Sequence, residues 1–78
     1  MEDNPVKRYV ETVTANRLDH YVIIHDLDDN QPLVLLFDSV GQPYVARPAV
    51  LNRNEVSVEL RPGTWKIEII AQAPNAGV

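Results

Sequence analysis

The feature that most limits what this chain can fold into is a period-two alternation of apolar side chains between residues 21 and 60. Tyr21, Ile23, His25 and Leu27 fall on one side of an extended chain, with Val22, Ile24 and Asp26 on the other. Val56, Val58 and Leu60 alternate with Ser57, Glu59 and Arg61, the half-buried pattern of an antiparallel sheet. Turn-forming clusters interrupt these runs about every ten residues, the spacing of an all-β sandwich or barrel.

Residues 6–14 are rich in Val, Thr and Tyr, which suits a strand. Asp28 to Gln31 form a turn cluster, and Pro32 opens the next strand where a missing N–H is tolerated. Residues 33–37 are apolar at every position, so the run is either buried on both faces or presents its second face to another subunit. Residues 38–41 read as a hairpin turn, with Gly41 free to take a positive φ. Residues 44–51 read as a weaker strand, and Pro48 inside it implies an edge or a bulge. Asn52 to Asn54 and Pro62-Gly63 are further turns, and residues 64–71 form the last strand. The expected fold is an all-β, small antiparallel β-sandwich of about six strands. Residues 1–5 are expected to be a flexible N-terminus, 6–72 a single domain, and 73–78 a flexible tail. Tyr21, Ile23, Val34, Leu36, Val56, Val58, Ile67 and Ile69 should line its core.

A chain of 78 residues buries a modest core, and without cysteine it has no disulfide to reinforce it. Oligomerisation is the remaining common source of buried surface. Leu33, Leu35 and Phe37 share one face of the uninterrupted apolar strand and are the candidate subunit interface. The formal net charge is −4 with the basic residues scattered, which argues against nucleic-acid binding. The polar N-terminus argues against a signal peptide, and no apolar run approaches the ~20 residues that span a bilayer, so no membrane association is expected.

Chemistry-bearing constellations are sparse. His20 and His25 point to opposite faces of a strand and cannot share a metal. His25 is expected to pack its ring in the core and donate a hydrogen bond to backbone. Asp26, Asp28 and Asn30 have the opening spacing of a calcium loop. The glycine expected at the sixth position is missing, and Phe37 stands where the twelfth-position glutamate belongs, so a solvated acidic turn is the expectation. Ser39 and Ser57 lack a histidine partner at a fitting spacing, so no catalytic residue is assigned and an enzyme is not expected. Trp65 and Tyr44 are candidate glycan contacts, because aromatic faces stack on sugars. Trp65 also alternates in phase with Ile67 and Ile69, which is the pattern of a core residue.

The order Tyr21, Ile23, His25, Leu27, Pro32, Asp38, Gly41, Asn54, Val56, Val58, Leu60 and Gly63 resembles a small β-domain that recurs in bacteriophage tail fibres and related virion proteins. The chain departs from that pattern at Tyr21, where tryptophan is more usual, at Asp28-Asp29-Asn30, where the loop usually carries glycine, and at Pro48. The resemblance implies a non-enzymatic structural component of a virion (tail fibre, baseplate or capsid-associated) that forms homo-oligomers, trimers foremost, and packs against other virion proteins. The alternative is a carbohydrate-binding module that recognises a host-surface glycan through Trp65 and Tyr44.

Overall fold

The structure, a computed structural model, describes residues 7–71. The flexible segments expected at 1–5 and 73–78 lie outside the described residues. Seven strands follow one another in the chain: β1 (Arg8–Ala15), β2 (Asp19–Ile24), β3 (Leu33–Phe37), β4 (Pro43–Tyr44), β5 (Ala49–Asn52), β6 (Glu55–Leu60) and β7 (Gly63–Ile70). They form two antiparallel sheets, one ordered β1-β7-β3-β4 and the other β2-β6-β5. The chain is all-β among the described residues and has the layout of a small sandwich.

The long strands form where β-branched residues alternate with polar ones. β1 (RYVETVTA) pairs with β7 without a break from Arg8↔Ile70 to Ala15↔Gly63. The same period places Ile23, Val56, Val58, Leu60, Trp65, Ile67, Ile69 and Leu36 in one buried cluster between the sheets. Ile23 faces Val56 across β2 and β6, and Leu36 faces Ile67 across β3 and β7. Of the eight residues expected in the core, Tyr21 and Val34 are only half-buried; the other six are buried.

The strand expected over residues 44–51 is in fact two. β4 hydrogen-bonds to β3 in the larger sheet, and β5 to β6 in the smaller. Pro48 lies in the segment where the chain passes from one sheet to the other. A proline cannot donate to a ladder, so pairing stops before it and resumes afterwards with a new partner. This division raises the strand number from about six to seven. β5 also carries a register shift between Val50 and Asn52, the bulge expected of an edge.

Glu11 is an unusual feature of the edge strand β1. Ala71 N–H donates to the Lys7 carbonyl at 2.9 Å, which fixes the alternation: Arg8, Val10, Thr12 and Thr14 turn their backbone polar groups to the open edge. The half-buried side chains of Tyr9, Glu11 and Val13 point inward instead. An inward carboxylate on an edge strand discourages pairing with another chain. It is satisfied here by the Tyr9 hydroxyl, which donates to Glu11 Oε1 at 2.7 Å. That bond, with burial, raises the Tyr9 phenol pKa above its ordinary value.

The β3–β4 turn is closed by Asp38. Its Oδ1 accepts from the N–H groups of Val40 (3.0 Å) and Gln42 (2.9 Å), and its carbonyl accepts from Gly41. Gly41 has φ +87°, and a Cβ there would meet nothing within 4 Å. Gly41→Ala should therefore carry only the backbone penalty of the left-handed region, about 1–2 kcal/mol in a denaturant melt. Gly41→Asn should cost less, because asparagine tolerates that region.

Candidate functional site

A groove of about 460 Å³ opens at the end of the sandwich where the β1–β2, β4–β5 and β6–β7 connections gather. It is lined by Leu18, Leu36, Tyr44, Val45, Arg47, Glu59, Arg61 and Trp65. Strand register explains its floor: Leu36 pairs with both Tyr44 and Ile67, and Trp65 follows two residues earlier on β7 on the same face. The Tyr44 and Trp65 rings meet edge to face, with centroids 5.2 Å apart and planes at 89°, a favourable arrangement for aromatic pairs. Trp65 Nε1–H donates to the Arg61 carbonyl at 2.8 Å, tying the β6–β7 turn to the floor.

The two candidate glycan-contact residues thus share one groove, in unequal roles. Trp65 is 9% exposed and belongs to the core, whereas Tyr44 is 50% exposed. A sugar would find its stacking surface mainly on Tyr44. Sequence reasoning passed over Leu18, Arg47 and Arg61 as groove residues. They come from three separate connections, and no local spacing links them.

Leu33, Leu35 and Phe37 lie together on the outer face of the larger sheet. The register sets Leu33 beside Ile70, Leu35 beside Glu68 and Phe37 beside Lys66, with Arg8, Val10 and Thr12 completing the same three rows on the far side of β7. Charged side chains cover part of this stripe. Arg8 Nε pairs with Glu68 at 2.9 Å, and Lys66 Nζ stands 5.4 Å from the Phe37 ring centroid. Leu33 remains exposed, with Leu35 and Phe37 half-buried. On the opposite side of the molecule Val22 and Ile24 of β2 are both more than half exposed on the outer face of the smaller sheet.

The acidic segment after β2 is built differently from the solvated turn expected of it. The ladder ends at Ile24, yet the alternation of burial continues through His25, Leu27 and Asp29. Asp26 (φ 56°) and Asp28 (φ 55°) adopt left-handed backbone, so the chain coils while still sending every second side chain inward. The β5–β6 turn holds it. The Asn54 carbonyl accepts from the N–H groups of His25 (2.8 Å) and Asp26 (3.2 Å), the Arg53 carbonyl accepts from Asp29 N–H (2.8 Å), and Asn54 Oδ1 accepts from Asp28 N–H (2.9 Å). Asp29, at 5% exposure, is buried rather than solvated, and its Oδ1 accepts from Gln31 N–H at 2.9 Å. Of the candidate calcium set Asp26, Asp28 and Asn30, Asp28 already engages a cationic side chain: its Oδ1 pairs with Arg53 Nε at 2.8 Å. Among the described residues no group of three or more His, Cys, Asp or Glu is arranged to hold a metal ion.

His25 is buried, at 3% exposure, but its hydrogen bond runs opposite to expectation. Nδ1 accepts from Leu27 N–H at 3.0 Å rather than donating to backbone. Its proton must then sit on Nε2, which is buried and has no hydrogen-bond partner. Burial pushes the imidazole pKa below its ordinary value, against the opposing pull of Asp26 and Asp29.

Comparisons with protein-family models, with characterised proteins and with solved structures give no match for this chain.

Proposed function

We propose that the chain is a non-enzymatic structural module of a bacteriophage virion that acts by packing against copies of itself and against neighbouring virion proteins. The observation that carries the packing role is the set of apolar side chains at least partly exposed on both outer sheet faces: Leu33, Leu35, Phe37 and Ile70 on one, Val22 and Ile24 on the other. A freestanding antiparallel sandwich turns polar side chains outward, and contiguous exposed apolar surface marks a partner site. The virion assignment rests on the ordered pattern from Tyr21 to Gly63. It is tested by mass spectrometry of particles purified from the source that encodes the chain. Peptides of this chain in fixed proportion to a major structural protein are expected, and their absence from intact particles would remove the assignment.

The meeting of Tyr44 and Trp65 in one groove favours a second reading, a glycan-binding module. It is the weaker of the two, because the Trp65 ring is spent on the core and its N–H on the Arg61 carbonyl. Saturable quenching of Trp65 fluorescence by a neutral oligosaccharide, lost in Tyr44→Ala, would favour it over packing.

A further inference from the structure

We propose that the groove at the Tyr44–Trp65 end docks an acidic segment of a partner protein, an aromatic or aliphatic side chain flanked by carboxylates. This deepens the packing role proposed above by assigning the chemistry of one partner, and it uses a surface separate from the two outer sheet faces.

Charge is the first argument. The groove lining holds two arginines, Arg47 and Arg61, against one carboxylate, Glu59, in a chain whose formal net charge is −4. The groove thus inverts the sign of the molecule as a whole, and such local fields select partners of opposite charge. The chain's other arginines, Arg8, Arg17 and Arg53, each stand in an ion pair, with Glu68, Asp19 and Asp28 respectively. Among the described residues no ion pair engages Arg47 or Arg61, so their guanidinium groups are available for a ligand carboxylate, which arginine can grip in a two-point fork.

Preorganisation is the second. Arg47 precedes Pro48 and Arg61 precedes Pro62, and a following proline holds a residue's backbone near the extended region. The Arg61 carbonyl is further fixed by Trp65 Nε1–H at 2.8 Å. Both arginines therefore rise from stiffened backbone, which lowers the ordering cost of binding.

The third argument is shape. Leu18, Leu36, Tyr44 and Val45 give the groove apolar walls, and Leu18, Tyr44 and Val45 are exposed there. A cleft of about 460 Å³ falls in the range of small-ligand sites, about 300–1,000 Å³, and admits an apolar side chain with its charged neighbours at the rim. A flat sugar acid is served less well, because Trp65 presents little ring face.

Trp65 is the only tryptophan in the chain, so its indole N–H gives a single NMR cross-peak at the floor of the groove. The test titrates the full chain with a blocked Glu-Phe-Glu tripeptide, with blocked Lys-Phe-Lys, and with a trimer of galacturonic acid. The acidic tripeptide should shift the indole peak saturably, and the basic one should not. Arg47→Ala and Arg61→Ala should each weaken binding about tenfold, the effect of losing one hydrogen bond to a charged group, while the remaining cross-peaks keep their folded dispersion. Equal response to both peptides, no response to either, or response to the sugar acid alone would overturn the proposal. Because the readout is local to the groove, failure here is distinguishable from failure of self-association through the sheet faces, which sedimentation reports.

Discussion

Ile23→Ala is expected to destabilise the fold by about 2–5 kcal/mol, as truncation of a well-packed aliphatic side chain does. Ile23 is 1% exposed and faces Val56 across the β2–β6 ladder. Domains have roughly 0.05–0.15 kcal/mol of stability per residue, so a chain of this length has on the order of 4–12 kcal/mol in all. The variant should therefore lose a large share of its stability, seen as an earlier urea midpoint with little change in slope. Val22→Ala, one residue away on the outer face, should change the midpoint far less in dilute solution. Equal effects at the two positions would contradict the assignment of strand faces.

Acid should loosen the same domain through His25. In the folded state its Nδ1 accepts from Leu27 N–H inside the protein, an arrangement that requires the neutral ring. Burial lowers the folded-state pKa, so the folded protein binds fewer protons than the unfolded chain as pH falls below the ordinary histidine value of about 6.5. The sign follows: stability from the neutral ring is fully present above that value, and it is lost as pH falls from there toward the folded-state pKa. The loss has a limiting slope of about 1.4 kcal/mol per pH unit for one group. Melting temperature should fall between about pH 7 and pH 5, a window set by the unfolded histidine. His25→Asn separates this from general acid effects. Its Oδ1 can accept from the N–H two residues on, as in an Asx turn, without a titrating ring. It should melt lower than the parent at pH 7.5, having lost packing, but show a flatter decline over this window. His25→Leu removes the acceptor and should cost about 1–3 kcal/mol at neutral pH through the stranded Leu27 N–H. Parallel pH profiles for the parent and His25→Asn would show that His25 is not the sensitive group.

The long strands were legible because they are written in period two. β2, β6 and β7 each show the alternation in which buried side chains occupy every second place, and the turn around Gly41 announced itself through Asp38 and glycine. Less legible was whatever depends on backbone sign or on distant pairing. Pro48 signalled an interruption, but only the topology shows that the chain changes sheets there. Alternation through His25, Leu27 and Asp29 looked like strand at its start and solvated turn at its end. Left-handed backbone at Asp26 and Asp28 makes it neither, and turns Asp29 inward. The groove was half-visible. Its aromatics stood out by residue type, while Arg47 and Arg61 looked like scattered surface charges until the fold gathered their connections at one end.

Sedimentation velocity over a wide concentration range tests the packing role most directly, with the parent chain beside Leu35→Asp. Leu35 lies at the centre of the outer stripe, between Leu33 and Phe37 and beside Glu68, so an added carboxylate there places like charge on the apolar face while leaving the buried cluster intact. The parent should sediment as a concentration-dependent oligomer, with a trimer as the expected species, and the variant should shift to monomer without loss of β-sheet circular dichroism. A parent chain that stays monomeric at every concentration, or a variant that assembles as well as the parent, would contradict self-association through this face.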